Sequence, residues 1–282
     1  MMQSIQHFLL TRFNLHLWRN DKEGHPVKTL EWLDNRFDLF EKYCLPSLAN
    51  QTCMEFEWIV LFDSKTPDKY KERVQRYQEI CPQLIPVFVA PEDGRDFRQV
   101  FRNEVVKRLG GERIITTYLD NDDALDVHYV EDLQKRISNL SNGSFVFYLN
   151  GYQYFTEFGL LLRIHYRRNH FVSVIESADP ETIKTIYGFG SHYYINKIPG
   201  AKIEYVKDAP LWCEVIHERN IGNDAYFLLG TKAVRDSETL HRDFAIEDFS
   251  SYGFATYLFK FIPRYIKTFF RRIGYFFLGR KW

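Results

Sequence analysis

Three carboxylates within four residues, Asp120, Asp122 and Asp123, are the most chemically suggestive feature of the sequence. They follow a β-prone run, residues 114–119, whose Ile, Thr, Tyr and Leu side chains predict a buried strand. Open α/β sheets bind ligands at the carboxyl ends of such strands, and carboxylates crowded there repel one another unless a divalent cation lies between them. The cluster therefore predicts a Mg²⁺ or Mn²⁺ site able to bridge nucleotide phosphates. The alternative is a solvated turn that caps the following helix.

Strand-like and helix-like segments alternate in the order expected of a mainly parallel sheet. Two later apolar runs, residues 145–149 and 159–166, predict antiparallel strands at its flank. The predicted fold class is α/β, with a Rossmann-like, mixed, mainly parallel sheet flanked by helices. The earlier strands are predicted at residues 8–13, 56–62, 84–89 and 114–119, and the helices at 32–49, 69–80 and 97–109.

Composition excludes several classes of protein. The 282 residues are 45% hydrophobic and 26% charged, which is enough to build a full core. Seven Lys or Arg and no Asp or Glu fall within residues 250–282, so the remainder of this formally neutral chain is acidic and nucleic-acid binding is not expected. The four cysteines form no C-x-x-C pair. Neither a signal peptide nor a membrane-spanning run is found, which predicts a cytoplasmic protein.

The C-terminal segment has a helical pattern of its own. Aromatic and aliphatic residues recur there at steps of three and four, opposite a stripe of Lys and Arg. We expect a single α/β domain over residues 1–249 and an amphipathic basic helix over residues 250–282. That helix is expected to bind an anionic membrane surface, the alternative being packing on the protein's own core.

An ordered set of motifs resembles the bacterial family described as putative rhamnosyltransferases. That family resembles the wider glycosyltransferases with the GT-A fold, and the resemblance covers about residues 7–225. Tyr118 departs from the family pattern, which has an Arg at this position. The matching motifs are residues 10–14, 43–48, 51–52, 56–58, 63, 119–124, 171–176 and 212–220.

The resemblance implies positions for the nucleotide-sugar donor. Asp63 stands where GT-A enzymes hold the nucleobase or ribose, although an Asp there can also cap its own turn. Arg102 and Asn103 resemble a pair directed toward the nucleotide, although a solvated Arg is common. Arg12 is placed to meet a diphosphate or to form a buried ion pair. Asp120 is expected to position the ribose.

Metal and catalytic roles follow from the same resemblance. Asp122 and Asp123 are expected to hold the cation, with His217 as a third ligand from the C-terminal part of the domain; the alternative is a core or surface His. An inverting transfer needs a carboxylate to take the proton of the acceptor hydroxyl, and Glu176 and Glu214 are the candidates. Either Glu can instead be a strand-end carboxylate paired with an Arg.

The predicted function is that of a metal-dependent glycosyltransferase, a hexosyltransferase. It would move a sugar, rhamnose by the family's name, from a nucleotide diphosphate donor to a hydroxyl of a surface glycan or its lipid-linked precursor, using Mn²⁺ or Mg²⁺. A nucleotidyltransferase and an inactive membrane-associated scaffold are the alternatives. The predicted location is the cytoplasmic face of the cell membrane, with the protein bound peripherally.

Overall fold

The computed structural model describes most of the chain. The described residues are 5–15, 17, 19–20, 25–27, 29–157, 159–217, 231–234 and 238–247, and of the C-terminal segment only 255, 258–259, 262–263, 266 and 269–270.

The described strands belong to two sheets. In chain order they are β1 (Ile5–Arg12), β2 (Glu57–Asp63), β3 (Leu84–Val89), β4 (Arg113–Tyr118), β5 (Ala124–Leu125), β6 (Ser144–Tyr148), β7 (Asn150–Phe155), β8 (Leu160–His165), β9 (Val172–Ser177), β10 (Lys202–Val206), β11 (Trp212–Ile216) and β12 (Lys232–Val234).

The larger sheet has the order β10-β6-β9-β4-β1-β2-β3. Strand β9 runs antiparallel to β4 and β6, whereas the other neighbours pair in parallel. The amino end of β9 therefore lies at the same edge as the carboxyl ends of β1, β2 and β4. This is the predicted mixed, mainly parallel α/β sheet, and the prediction is confirmed.

Helices cover both faces of this sheet, and one helix packs on the second sheet. Those of the large sheet are α1 (Leu30–Leu39), α2 (Leu45–Ala49), α3 (Asp68–Ile80), α4 (Phe97–Val106), α5 (Tyr129–Ile137) and α6 (Thr185–Gly188), and the helix on the second sheet is α7 (Glu238–Phe244). A π-helical turn, Phe40–Cys44, joins α1 to α2, so the helix predicted over residues 32–49 is a single helical run. Pro46 lies two residues after this π-helical turn, where the hydrogen-bond pattern of the run changes and can accommodate the missing N–H.

Strand β1 shows why the large sheet is buried on both sides. Leu9 packs in one core cluster with side chains of α1, α3 and α5, while its neighbours Phe8 and Leu10 pack in another with α4 and α6. Successive side chains of a strand point to opposite faces, so a strand covered on both faces needs a continuous apolar run.

The second sheet is a feature that the sequence did not predict. It has the order β12-β8-β7-β11-β5. The run predicted as a flanking strand at residues 159–166 is β8 of this sheet, whereas the run at 145–149 is β6 of the large sheet. The short strand β5 pairs with β11 directly after the aspartates, so this sheet brings β11 beside them.

Most of the predicted C-terminal helix lies outside the described residues. Among the described positions, Ile262 packs partly against the core, while Phe259 and Phe270 are 77% and 64% exposed. Within the described part of the chain, no helix has the length and apolar character needed to cross a bilayer.

Candidate active site

The aspartate turn leaves β4 at the ligand-binding edge of the large sheet. Asp120 follows β4, and Asp123 directly precedes β5, which ties the turn to both sheets. Asp123 is fully buried, whereas the side chain of Asp120 keeps 27% exposure. The turn therefore presents one accessible and one enclosed carboxylate.

A histidine from β9's amino end completes this cluster. Ligand atoms of Asp120, Asp123 and His170 all lie within 4.8 Å of one another. His170 Nε2 is 2.6 Å from Asp123 Oδ2, and the backbone N–H of Val215 donates to Asp123 Oδ1 at 2.9 Å. Two carboxylates and an imidazole form a ligand set suited to Mn²⁺ and related divalent cations.

Stacked aromatic rings hold the two strands that carry the site. The rings of Phe171 and Trp212 lie 4.7 Å apart and 14° from parallel. Trp212 donates its indole N–H to the carbonyl of Tyr148 at 2.7 Å, and Gly151 makes room for the indole, since a Cβ there would lie 2.1 Å from it. The stack fixes the backbone beside it, which carries His170 next to Phe171 and Glu214 two residues after Trp212.

Burial and charge shift the ionisation of the enclosed pair. Burial opposes protonation of His170, but the hydrogen bond to Asp123 and its negative charge raise the pKa of the imidazole to about 9. Burial raises the pKa of the Asp123 carboxyl. Together the two groups hold a shared proton in the absence of a cation, and a metal ligated by both would displace it.

Asp122 points away from this cluster, into the protein. Its Oδ2 lies 2.6 Å from Nη1 of Arg36 and 2.9 Å from Nε2 of His217, and all three side chains are buried. Burial alone would raise the pKa of Asp122, but the Arg36 guanidinium and the His217 hydrogen bond hold it well below its usual value. Of the predicted metal set, Asp122 and His217 therefore meet, but Asp123 pairs with His170 instead.

A cavity of about 380 Å³ opens beside the accessible carboxylate. On one wall the guanidinium of Arg12 lies 5.0–5.4 Å from the ring centres of Phe97, Tyr118 and Tyr187. Arg12 also lies 3.4 Å from Asp120 Oδ1, and the Tyr118 hydroxyl donates to the same carboxylate at 3.0 Å. Arg12 thus forms an ion pair, although a partly exposed one and not the buried pair of the alternative, and contact with a diphosphate stays a prediction.

Glu214 of β11 lines the same cavity. Its Oε2 accepts a hydrogen bond from Nε2 of the fully buried Gln153 at 2.6 Å. Burial raises the pKa of Glu214. A carboxylate that is oriented by one neighbour and whose pKa is raised by burial meets the requirements of a general base.

Glu176, the other candidate base, is not brought to the cavity. It pairs with Ile114 near the start of β4, about 13 Å further along the strand than Tyr118 at 3.3 Å per residue. Its two oxygens accept hydrogen bonds from the backbone N–H groups of Lys184 and Thr185, at 2.9 and 3.0 Å. These contacts give Glu176 a structural part at the start of α6.

The other residues predicted to bind the sugar donor make hydrogen bonds within the protein. Asp63 Oδ1 accepts from the backbone N–H of Lys65 at 2.9 Å, which is the turn cap foreseen as the alternative. Arg102 donates to the carbonyls of Pro180 and Ile183. The side-chain oxygen of Asn103 accepts from Gln99 at 2.7 Å. Binding of a nucleotide by these side chains stays a prediction.

Sequence reasoning missed two residues of the site. His170 immediately precedes the predicted motif at residues 171–176, and only the reversed direction of β9 brings it to the aspartates. Arg36 occupies the apolar face of α1, one turn after Trp32. A charge on the buried face of an amphipathic helix was a signal that could have revealed it.

Comparison with known proteins now assigns the family. The profile of the family described as "Putative rhamnosyl transferase" matches residues 20–225. The chain belongs to this family. The resemblance predicted from the sequence is thereby confirmed, and the chain is a member of a glycosyltransferase family. Among curated proteins, none matches it.

Several solved structures share parts of the fold. S. aureus TarS 1-349 is 14% identical over 74% of this chain, with a TM-score of 0.42. Its complex with UDP is 12% identical over 75% of the chain, with a TM-score of 0.44. GalNAc-T7 with UDP, GalNAc and Mn²⁺ is 14% identical over 78%, with a TM-score of 0.43. This chain spans 60% of each TarS 1-349 structure and 45% of GalNAc-T7, and at these scores the structures carry no functional inference.

We expect opposite effects from substituting the two candidate bases. Glu214→Gln should lower kcat by about 10²–10⁴-fold with little change in KM for the donor, because the amide cannot accept the proton. Glu176→Gln should retain turnover but lower the melting temperature, because an amide offers a single acceptor oxygen to two N–H groups. Steady-state kinetics and thermal unfolding of both variants measure this. Wild-type turnover in Glu214→Gln would remove it as the base.

Proposed function

We propose that this protein transfers a sugar, rhamnose by its family's name, from a nucleoside diphosphate donor to a hydroxyl of a glycan or lipid-linked acceptor. The observation that carries the proposal is the cluster of Asp120, Asp123 and His170, of which Asp120 and His170 line the same cavity as Glu214. A group of metal ligands beside an oriented carboxylate suits a sugar transfer, because the leaving diphosphate needs its charge neutralised and the acceptor hydroxyl must lose a proton.

The residues present fit a divalent cation. Asp120, Asp123 and His170 would hold Mn²⁺ or Mg²⁺, the two carboxylates supplying hard oxygen ligands and the imidazole favouring Mn²⁺. When bound, the cation would offset the negative charge of the leaving diphosphate. The protein adds Arg12, whose guanidinium lies at the accessible end of the cluster and can pair with phosphate oxygens.

The transfer itself requires one proton movement by a protein group. In an inverting reaction the acceptor oxygen bonds to the anomeric carbon of the sugar as the bond from that carbon to the diphosphate oxygen breaks. Glu214 takes the hydroxyl proton, and the electron pair of the broken bond leaves with the nucleoside diphosphate. Gln153 keeps the accepting carboxylate oriented throughout.

The C-terminal segment supplies the proposed attachment to a membrane. Leu258, Phe259, Ile266, Phe269 and Phe270 are exposed large apolar side chains. The seven Lys and Arg residues of residues 250–282 would attract anionic lipids at about 1 kcal/mol each before salt screening. Peripheral binding at the cytoplasmic leaflet would keep the cavity near a lipid-linked acceptor.

The reaction is tested by product analysis with a panel of nucleotide sugars. We expect one donor to release a nucleoside diphosphate when Mn²⁺ or Mg²⁺ is supplied, and EDTA to abolish that release. Release of pyrophosphate would instead identify a nucleotidyltransferase. Release that survives EDTA would contradict the proposed metal dependence. Failure of all donors to bind, with or without Mn²⁺, would contradict the proposed transferase activity.

A pair of histidine variants serves as the control for the metal set. His170→Ala should raise the Mn²⁺ concentration for half-maximal activity by at least about tenfold, because it removes a ligand. His165→Ala is the matched control, since His165 is exposed and contacts Asn150 at 2.9 Å. Equal effects of the two substitutions would argue against ligation by His170.

Membrane attachment is tested with vesicles. The full chain should sediment with vesicles containing anionic lipid, less so as salt rises, because electrostatic attraction is screened. A chain ending at residue 249 should remain folded and stay in solution. Equal binding to neutral and anionic vesicles, or unfolding of the shortened chain, would favour packing of this segment on the protein itself.

A further inference from the structure

A buried ion pair links the aspartate turn to the first helix. Nη1 of Arg36 lies 2.6 Å from Asp122 Oδ2 and 3.5 Å from Asn121 Oδ1, and its guanidinium carbon is 5.4 Å from the Trp32 ring centre. Side-chain exposure is 5% for Arg36 and 7% for Asp122. Two charges this far from water are held together much more firmly than a surface pair.

The pair joins three parts of the chain at one carboxylate oxygen. Asp122 Oδ2 also contacts His217 at the end of β11, so α1, the aspartate turn and the second sheet meet there. The neighbouring Asn121 donates to the carbonyl of Phe13, beyond the end of β1, at 3.0 Å. With the two middle residues of the turn anchored inward, its outer residues Asp120 and Asp123 face His170.

The charge of Arg36 also bears on where a cation can bind. A guanidinium 2.6 Å from Asp122 Oδ2 neutralises this carboxylate and would repel a second cation placed on the same oxygen. At the Asp120, Asp123 and His170 cluster, the Arg12 guanidinium lies 3.4 Å from Asp120 and is partly exposed, so it repels a cation less than the buried Arg36 does at 2.6 Å from Asp122. Electrostatics therefore favour a metal on that cluster over one on Asp122 and His217.

We propose that Arg36 is a positioning residue, and that it forms with Asp122 and His217 a clamp which sets the aspartate turn for metal binding. Asp122 and His217 act in this clamp and are not ligands of the metal. The inference rests on the proposed function, because it concerns the turn that would hold the metal. It assigns a different role to two residues that the family resemblance places among the ligands.

A double-substitution cycle tests the clamp. The full-length chain is compared with Asp122→Asn, Arg36→Met and the combined variant, using melting temperature and Mn²⁺ titration by calorimetry without nucleotide. The exposed pair of Asp38 and Arg73, 2.7 Å apart with Asp38 on the same helix, supplies the control Asp38→Asn. Surface pairs contribute little, so the control should melt close to the wild type.

Each single substitution should lower the melting temperature, because it removes the countercharge of a buried ionised group, and the combined variant should recover much of that loss. Arg36→Met should weaken Mn²⁺ binding about 10–100-fold, as loss of an outer contact does, and the combined variant, which also lacks the clamp, should lose no more than this. Arg36→Lys should lie between Arg36→Met and the wild type, because it keeps the charge without the planar fork.

Two results would overturn the clamp. One is an Asp122→Asn variant that melts at or above the wild-type temperature, as expected if crowded carboxylates merely repel. The other is a combined variant that melts like the wild type but binds Mn²⁺ more than about 100-fold more weakly. A loss of that size exceeds the effect of an outer contact and would identify Asp122 as a metal ligand. None of these measurements uses donor or acceptor. If the wild type takes up no Mn²⁺, the proposed metal fails while the stability cycle still decides the clamp.

Discussion

The structure around the aspartate turn depends on compensating buried negative charge. Asp122, Asp123 and Glu214 are all less than a tenth exposed, and the partly exposed Asp120 lies beside them. Isolated carboxylates are costly to bury, so each needs a donor or a countercharge. Arg36, His170 and Gln153 meet that need for the buried three, while Arg12 and Tyr118 do so for Asp120.

This requirement explains much of the surrounding architecture. The large sheet supplies Arg12, the turn after β4 and, through the reversed β9, His170. The second sheet supplies Glu214 and Gln153 on adjacent strands, β11 and β7, in direct register. The stacked rings of Phe171 and Trp212 lock the two sheets together, so partners from distant parts of the chain meet at fixed distances.

The sequence predicted the helices and strands better than it predicted the contacts between them. Apolar periodicity located β1 to β4 and the helices between them, because buried parallel strands and amphipathic helices have distinct patterns. The aspartates could be singled out because they follow a buried strand, and Glu214 because it lies in one of the motifs, residues 212–220, that resemble the family. Periodicity could not show that β7 and β11 form a second sheet, since pairing between strands leaves no local signature.

The site residues also divide into those that the sequence could identify and those that depend on tertiary contacts. His170 could not be placed because its approach to Asp123 depends on the direction of β9, which pairs antiparallel with β4. Asp122 and Asp123 are neighbours with opposite side-chain directions, and sequence alone gives both the same chemistry. Their separation into one carboxylate paired with Arg36 and another paired with His170 is a tertiary property.

The metal set is decided most directly by anomalous diffraction. Crystals of the full chain grown with Mn²⁺ and a nucleoside diphosphate would be measured at the manganese absorption edge. We expect an anomalous peak for manganese at coordination distance from Asp120, Asp123 and His170, with Arg36 still paired to Asp122. A peak between Asp122 and His217, with the Arg36 guanidinium displaced, would contradict it.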